Sequence, residues 1–485
     1  MMRQKIIKGG AALAVRQVIS LPFNALGVAL ASRFLLPADY GIQAILIPII
    51  ALAVMMIDLG TSQALVQRRE RPSGPLLRRV QILKFSCSVA VLLVLTLISA
   101  WLVRVFDLPQ NLIWIFPACG FVGWLQSQRA FQAVALQRHI DWSLLAKVEM
   151  AEIVIYNVVL IIAAYHFRSA WCFIIALGFR MGAGAIILKI VSCPKVENEA
   201  ASGSRLRALL GYGVPLQSAT LLSVIMNSAN PIVVGSSLGI QAVGYVNWSN
   251  NIVSVPQVPL QPLPNFLFSV LAERGRQGRD DQKLIAELSY LGASLMSMFS
   301  LIIIMTLNLL VQNILGVQWR EAIPAASILL LTNVVVVPSL IITAQMNAGG
   351  HSALSLLISG VGVFLLWTMV IVAALLKAGL TGYALGVLLA TLVTFGFQTK
   401  IASKRLSINV SFMASLRYIV YIVSCGMIAK MLIKAITTTS GIIEEFALII
   451  TAVLIFVAMV ALFEGRYLKP SFAVLKSTVH WDKGG

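Results

Sequence analysis

Apolar residues run along this chain in long blocks, parted by short breaks that are polar or carry proline and glycine. Fourteen blocks reach membrane-spanning length, at residues 10–32, 41–65, 80–103, 111–135, 143–166, 169–191, 209–235, 241–270, 284–311, 322–347, 352–376, 379–399, 411–434 and 443–463. A helix crosses a bilayer core with roughly 20 residues. The pattern therefore predicts an all-α polytopic membrane protein with about 14 transmembrane helices. A membrane β-barrel would instead alternate polar and apolar residues over strands of about 10 residues. Pro37, Pro72, Pro75, Pro109, Gly349, Gly350 and Gly379 stand in the breaks, where turn chemistry is expected.

Composition agrees with the pattern. The 485 residues are 59% hydrophobic and 11% charged, where a soluble domain carries about 25% charged residues. The formal net charge of +19 changes the picture in one way only. It does not point to nucleic acid, because the basic residues sit in short loops between apolar blocks. With the N-terminus in the cytoplasm, inner segments hold Arg3, Lys5, Lys8, Arg68, Arg69, Arg71, Arg78 and Arg79, and further clusters follow at 274–283 and 400–405. Outer segments hold little beyond Arg33, Arg104, Arg168, Arg320, Lys377 and Lys434. This positive-inside asymmetry gives an even number of spans with both termini cytoplasmic. The basic N-terminus precedes an apolar block long enough to remain as a first span, so no cleaved signal peptide is expected.

The polar segment "CPKVENEAASGSR" starting at Cys193 divides the spans into six and eight. "ADYGIQAILIP" at Ala38–Pro48 is echoed by "GIQAVGYVNWS" at Gly239–Ser249, which suggests an internal repeat. The expected organisation is an N-lobe of helices 1–6 (1–192), a cytoplasmic linker (193–208), a C-lobe of helices 7–12 (209–400), helices 13–14 (401–463) and a cytoplasmic tail (464–485).

Charges within spans are rare and usually face a partner or a water-filled cavity. Counting ~1.5 Å per residue from the cytoplasmic loops sets Arg16, Asp58, Arg129, Glu149, Glu152 and Arg180 roughly 12–17 Å deep, in one slab of the first six spans. Arg16 and Asp58 lie on consecutive helices at similar depth and are expected within reach of each other. Gly60 offers another outcome for Asp58, an early helix end that returns it to a loop. For the group, two readings stand: a static ion-pair network that fixes helix register, or a hydrated cavity. Arg16, Ser20 and Asn24 share one helical face, as do Glu149, Glu152 and Tyr156.

Spans seven and eight carry amides instead of charges: Gln217, Asn227, Asn230, Asn247, Asn250, Asn251, Gln257 and Gln261. Pro256, Pro259, Pro262 and Pro264 exclude one straight helix there. Amides on a broken helix suit hydroxyl-rich ligands such as sugars, and equally serve to join helices. The chain lacks a GxxxxGKS/T phosphate loop and metal-ligand spacings, and its four histidines are scattered. The five cysteines form no CxxC pair and read as small buried hydrophobes. No cofactor, metal or catalytic residue is expected, and the chain reads as a non-enzyme.

"RFLLPADYG" at Arg33–Gly41 and "DLGTSQALVQRRE" at Asp58–Glu70 resemble the opening of Wzx-type polysaccharide transporters of the multidrug/oligosaccharidyl-lipid/polysaccharide exporter superfamily. "GYGVPLQSA" at Gly211–Ala219 and "GYVNWSNNIVSVP" at Gly244–Pro256 resemble the equivalent part of the second half. The resemblance implies two six-helix lobes plus two helices. It also implies flipping of undecaprenyl-diphosphate-linked oligosaccharide across the bacterial inner membrane by ion-coupled alternating access, for exopolysaccharide or O-antigen synthesis. Arg16, Arg129 and Arg180 match the implied diphosphate site; Asn24, Gln217, Asn227, Asn247, Asn250, Asn251 and Gln261 are candidates for the sugar. Asp58, Glu149 and Glu152 are candidates for a coupling cation, H+ or Na+. Expected partners are the lipid-linked oligosaccharide, membrane lipid, and the polysaccharide polymerase and export machinery. A chain with Asn230 where relatives often carry an acid departs from the pattern. A drug or cation exporter of the same superfamily and a membrane polysaccharide polymerase or ligase are the alternatives; the latter would be expected to need a large outer loop.

Overall fold

A run of twenty apolar residues in lipid has one way to satisfy its own amides, the i to i−4 ladder of a helix. A computed structural model describes residues 16, 20, 22–24, 26–67, 73–138, 142–191, 206–228, 230–260, 263–264, 267, 271, 282–406, 410–436 and 442–479. Among them no strand occurs. Among the described residues, ten helices are long and apolar enough to cross a membrane: Pro37–Asp58, Gly74–Val105, Ser143–Phe167, Trp171–Val191, Ile285–Leu315, Val317–Ala348, Ala353–Leu375, Gly379–Lys404, Phe412–Ile433 and Glu445–Glu464. The molecule is a multi-pass membrane protein. Three more expected blocks are helical at Ile115–Arg138, Leu206–Asn227 and Ile240–Ser254. The first expected span lies largely outside the described residues, as does the segment 192–205.

Local chemistry sets the helix ends. Pro37 opens its helix, where the missing N–H costs nothing. The Asp39 carboxylate accepts from the Leu36 N–H at 2.9 Å, which closes one of the open donors of the first turn. The same helix stops at Asp58, because Leu59 (φ 47°) and Gly60 (φ 70°) take left-handed conformations before Thr61–Gln67 resumes. A Cβ on Gly60 would run into the backbone of Gly213, so the turn and the Leu206–Asn227 helix touch backbone to backbone. The prolines past Ser254 have the expected effect: the α-helix Ile240–Ser254 gives way to a 3-10 segment, Val255–Leu260.

The chain forms two compact units, Met1–Asn247 and Trp248–Gly485, so the division falls after the polar segment at 193–208. In the first unit, Trp142–Phe167 and Ile115–Arg138 pack along Trp171–Val191. Ile115, Phe116 and Cys119 are fully buried in a core shared with Leu46, Ile50 and Ile174. Asn247 donates to the Tyr40 carbonyl at 3.0 Å and to Gln43 Oε1 at 3.2 Å. In the second unit, Ser352–Leu375 packs on Gly379–Leu406, and Ile442–Val479 on both Gln282–Leu310 and Phe412–Ile436. Trp248 and Trp319 stack there at 5.1 Å, both without exposed surface. Gln257 Nε2 donates to Asn333 Oδ1 at 2.7 Å, and Asn333 in turn to the Val253 carbonyl, which anchors the 3-10 segment. Cys119, Cys172 and Cys425 are free and buried, and Cys87 is free and half-buried. Cys193 lies outside the described residues.

Candidate functional site

Three helices of the first unit bring four charged side chains together, and Arg16 adds a fifth. Glu149, Glu152 and Tyr156 stand three and four residues apart on Trp142–Phe167, and so share one face. Arg129 on Ile115–Arg138 reaches Glu152 through Nε–Oε1 (2.9 Å) and Nη2–Oε2 (3.2 Å), a fork-on-fork pair. Its Nη2 also reaches Glu149 Oε1 at 3.2 Å. Arg16 pairs with the other Glu149 oxygen. Glu152 is almost fully covered, with 1% of its side chain exposed. It has room because residue 184 is glycine; a Cβ there would strike the carboxylate.

Arg180, on Trp171–Val191, differs. Its guanidinium lies over the Tyr156 ring, 5.7 Å from the centroid. Among the described residues no carboxylate pairs with it, and its Nε is buried without a hydrogen-bond partner. The group as a whole holds three guanidinium groups against two carboxylates. Arg16, Glu149 and Arg129 each keep about a fifth of their side-chain surface open, at 23%, 20% and 19%. Asn24 accepts from Asn157 Nδ2 at 3.1 Å, one residue beyond Tyr156. Such an arrangement suits an anion: one positive charge in excess, and guanidinium donors that match phosphate geometry.

Asp58 does not join this group. Arg16, which its depth would allow to meet Asp58, pairs with Glu149 instead. The helix does end at Asp58, as Gly60 allows, yet the carboxylate stays inside the protein. Its Oδ1 takes Lys84 Nζ at 2.5 Å and Ser62 Oγ at 2.6 Å, and its Oδ2 takes the Ser62 N–H at 3.3 Å. Lys84 further donates to Ser62 Oγ (2.8 Å) and the Ser127 carbonyl (3.3 Å), and sits over the Phe131 ring at 5.2 Å. Its side chain is fully buried. Sequence reasoning missed Lys84, although a signal existed: it is the one charged residue between Arg79 and Arg104.

The amide candidates divide. Asn24 lies beside the arginine group, and Asn247 holds the backbone of the Pro37–Asp58 helix. Gln217, Asn250 and Asn251 are half-buried. The Asn227 side chain and Gln261 lie outside the described residues. Among the described residues no cluster of three or more His, Cys, Asp or Glu side chains could hold a metal.

The fold is that of known membrane transporters. A multidrug resistance MATE family transporter of the MOP superfamily, inward-facing, superimposes with a TM-score of 0.61 at 15% identity, over 82% of this chain and 100% of that one. The lipid II flippase MurJ in an inward closed conformation gives 0.61 at 13% identity, over 94% and 98%. An outward-facing MATE transporter gives 0.51 at 14%, over 82% and 95%. At these identities the likeness is one of fold. No curated protein matches the sequence. A family model described as polysaccharide biosynthesis protein matches residues 30–324, well over half of the chain, and the chain belongs to that family.

Proposed function

We propose that this protein is a flippase that moves a lipid-diphosphate-linked oligosaccharide across the bacterial inner membrane for polysaccharide synthesis. The observation that carries the reading is Arg180, a guanidinium aimed at no carboxylate among the described residues, beside an ion-paired group of two arginines and two glutamates, so that Arg180 leaves the whole one positive charge in excess. In a family devoted to polysaccharide biosynthesis, the anion to be met in mid-membrane is the diphosphate that links sugar to lipid. Attraction to it is stronger there than in water, because the surroundings screen less. Arg180 binds the diphosphate first. Arg16 and Arg129 join by loosening from Glu149, which is left to the coupling cation together with Glu152. In this reading the functional lobes are 1–192 and 209–400, the termini are cytoplasmic, and Gln217, Asn250 and Asn251 meet the sugars. Asp58, held by Lys84, has a structural role and is withdrawn from the coupling set.

The family match and the flippase and exporter folds around it favour transport over enzymology. A strain lacking the protein tests the choice. Loss of a flippase leaves lipid-linked repeat units in the inner leaflet, whereas loss of a polymerase delivers single units outside. Single units on the outer face would overturn the reading.

A further inference from the structure

The second unit contains a cavity of about 330 Å³ between Val336–Ala348, Ser352–Leu375 and Gly379–Leu406. At the ~30 Å³ that a water molecule occupies in the liquid, this is room for roughly ten waters, or a hydrocarbon stretch of similar carbon count. The space is open on one side: Leu340, Gly362, Leu366, Thr391 and Thr394 along it are half-buried, so a chain can enter it from the surrounding lipid. The walls include Leu340, Leu366 and Phe395, with four polar residues, Ser339, Thr391, Thr394 and Gln398. Those four already have partners for their donors. Ser339 Oγ donates to Gln398 Oε1 at 2.7 Å, and Gln398 Nε2 donates to the Ser339 carbonyl (3.0 Å) and Thr343 Oγ1 (2.9 Å). Thr391 and Thr394 donate back to the Val387 and Ala390 carbonyls of their own helix, at 2.8 and 2.7 Å. The space is left with few polar groups to hold water or a sugar, which need donors as well as acceptors. It also lies well within the membrane-spanning stretches, since Gly362 and Thr391 fall near the middles of Ala353–Leu375 and Gly379–Lys404.

We propose that this cavity is a binding site for one uncharged hydrocarbon chain of a lipid. An apolar wall with its hydrogen bonds closed, deep in the hydrocarbon layer, is matched by methylene or isoprenoid groups. Gly362 keeps the site open: a Cβ there would come within 2.9 Å of the Thr394 methyl. The inference stands apart from the transport reading, since it concerns occupancy by a chain and not movement of a head group.

The test uses the full chain in phosphatidylethanolamine/phosphatidylglycerol nanodiscs with two photoprobes. One is a phospholipid with a diazirine in its acyl chain, and the other is a diazirine-bearing polyprenyl phosphate. Tandem mass spectrometry then locates the adducts. The expected result is labelling of Leu366 and Phe395 that falls at least tenfold in Gly362→Leu, while labelling of the outward-facing Phe364 (70% exposed) is unchanged. Leu366→Trp, read at Phe395, serves as a second filled variant should Gly362→Leu not elute as a single species. Labelling by the acyl probe alone assigns the site to bulk lipid; preferential labelling by the polyprenyl probe assigns it to an isoprenoid carrier. The proposal fails if neither probe marks Leu366 or Phe395 while Phe364 is labelled. It fails equally if the filled variant that folds labels like the parent.

Discussion

Two ionic groups lie within one compact unit, and they are built on opposite terms. Asp58 and Lys84 form a closed pair: one positive and one negative charge, a fully buried ammonium, and serine and backbone groups taking up the remaining hydrogen bonds. The arginine group is open: three cations against two anions, several side chains partly exposed, and Arg180 resting on a ring in place of a carboxylate. A low-dielectric interior penalises any charge without a counterpart. The closed pair meets that demand within itself, as a structural element must. The open group does not, and in the proposed function that imbalance is what serves an anionic visitor. Charge inside a span is therefore not one kind of feature: the two groups differ in their local balance of charge.

The sharpest way to break this comparison is to open the closed pair. Lys84→Met should destabilise the protein by about 3–5 kcal/mol, because Asp58 is left charged and buried. Thermal unfolding of the purified protein would record this as a marked loss of stability. Asp58→Asn with Lys84→Gln should recover most of the loss, since a neutral pair keeps hydrogen bonds in place. A Lys84→Met protein as stable as the parent would show that the pair is not structural.

The open group should respond in function before stability. Removing the guanidinium in Arg180→Ala forfeits a charged hydrogen bond worth about 1.5–3 kcal/mol, so polymer export should fall at least tenfold at unchanged protein level. Arg16→Ala should do the same. Polymer yield per cell, normalised by immunoblot, measures both, and normal yield in both would remove the anion site. Glu152→Gln should cost less, about 1.5 kcal/mol of stability at the low end for a bond to a charged group. Arg129 keeps Glu149 and an uncharged acceptor, and is itself partly exposed. A shift in unfolding temperature reads this; equal losses in Glu152→Gln and Lys84→Met would erase the distinction between the groups. The smallest effect belongs to Tyr156→Leu, which removes the ring beneath Arg180, an interaction of about 0.5–1 kcal/mol. Export should drop only a few-fold, with Tyr156→Phe near normal; a loss as deep as that of Arg180→Ala would give the phenol a direct role.

Much of the fold could be read from the apolar pattern. Helices occupy thirteen of the fourteen expected blocks, with ends at the proline and glycine signals, as at Pro37, Gly60 and Pro256. The charged residues of the candidate site were legible as a set, because an arginine or glutamate inside a hydrocarbon-length run stands out. Their partners were not. Depth counting allowed Arg16 to meet Asp58 from similar height, but height leaves open the rotation of each helix about its axis. The same blindness hid Lys84, which stood out in sequence yet gave no sign of facing Asp58 across two helices. The sequence left two roles open for the amides, sugar contact or helix joining, and rotation again decides: Asn247 holds the backbone at Tyr40, and Gln257 holds Asn333.

What the sequence determined by itself is the helical class of the chain and the length and polarity of its apolar segments. A hydrocarbon layer of fixed thickness demands internally bonded segments of about twenty apolar residues, and that demand is local to each segment. Which carboxylate takes which cation, and which guanidinium is left over, was decided by tertiary structure alone. Pairing depends on helix rotation and on close approaches such as Gly60 on Gly213 and Gly184 beside Glu152, and those are set by packing against neighbours far away in the chain.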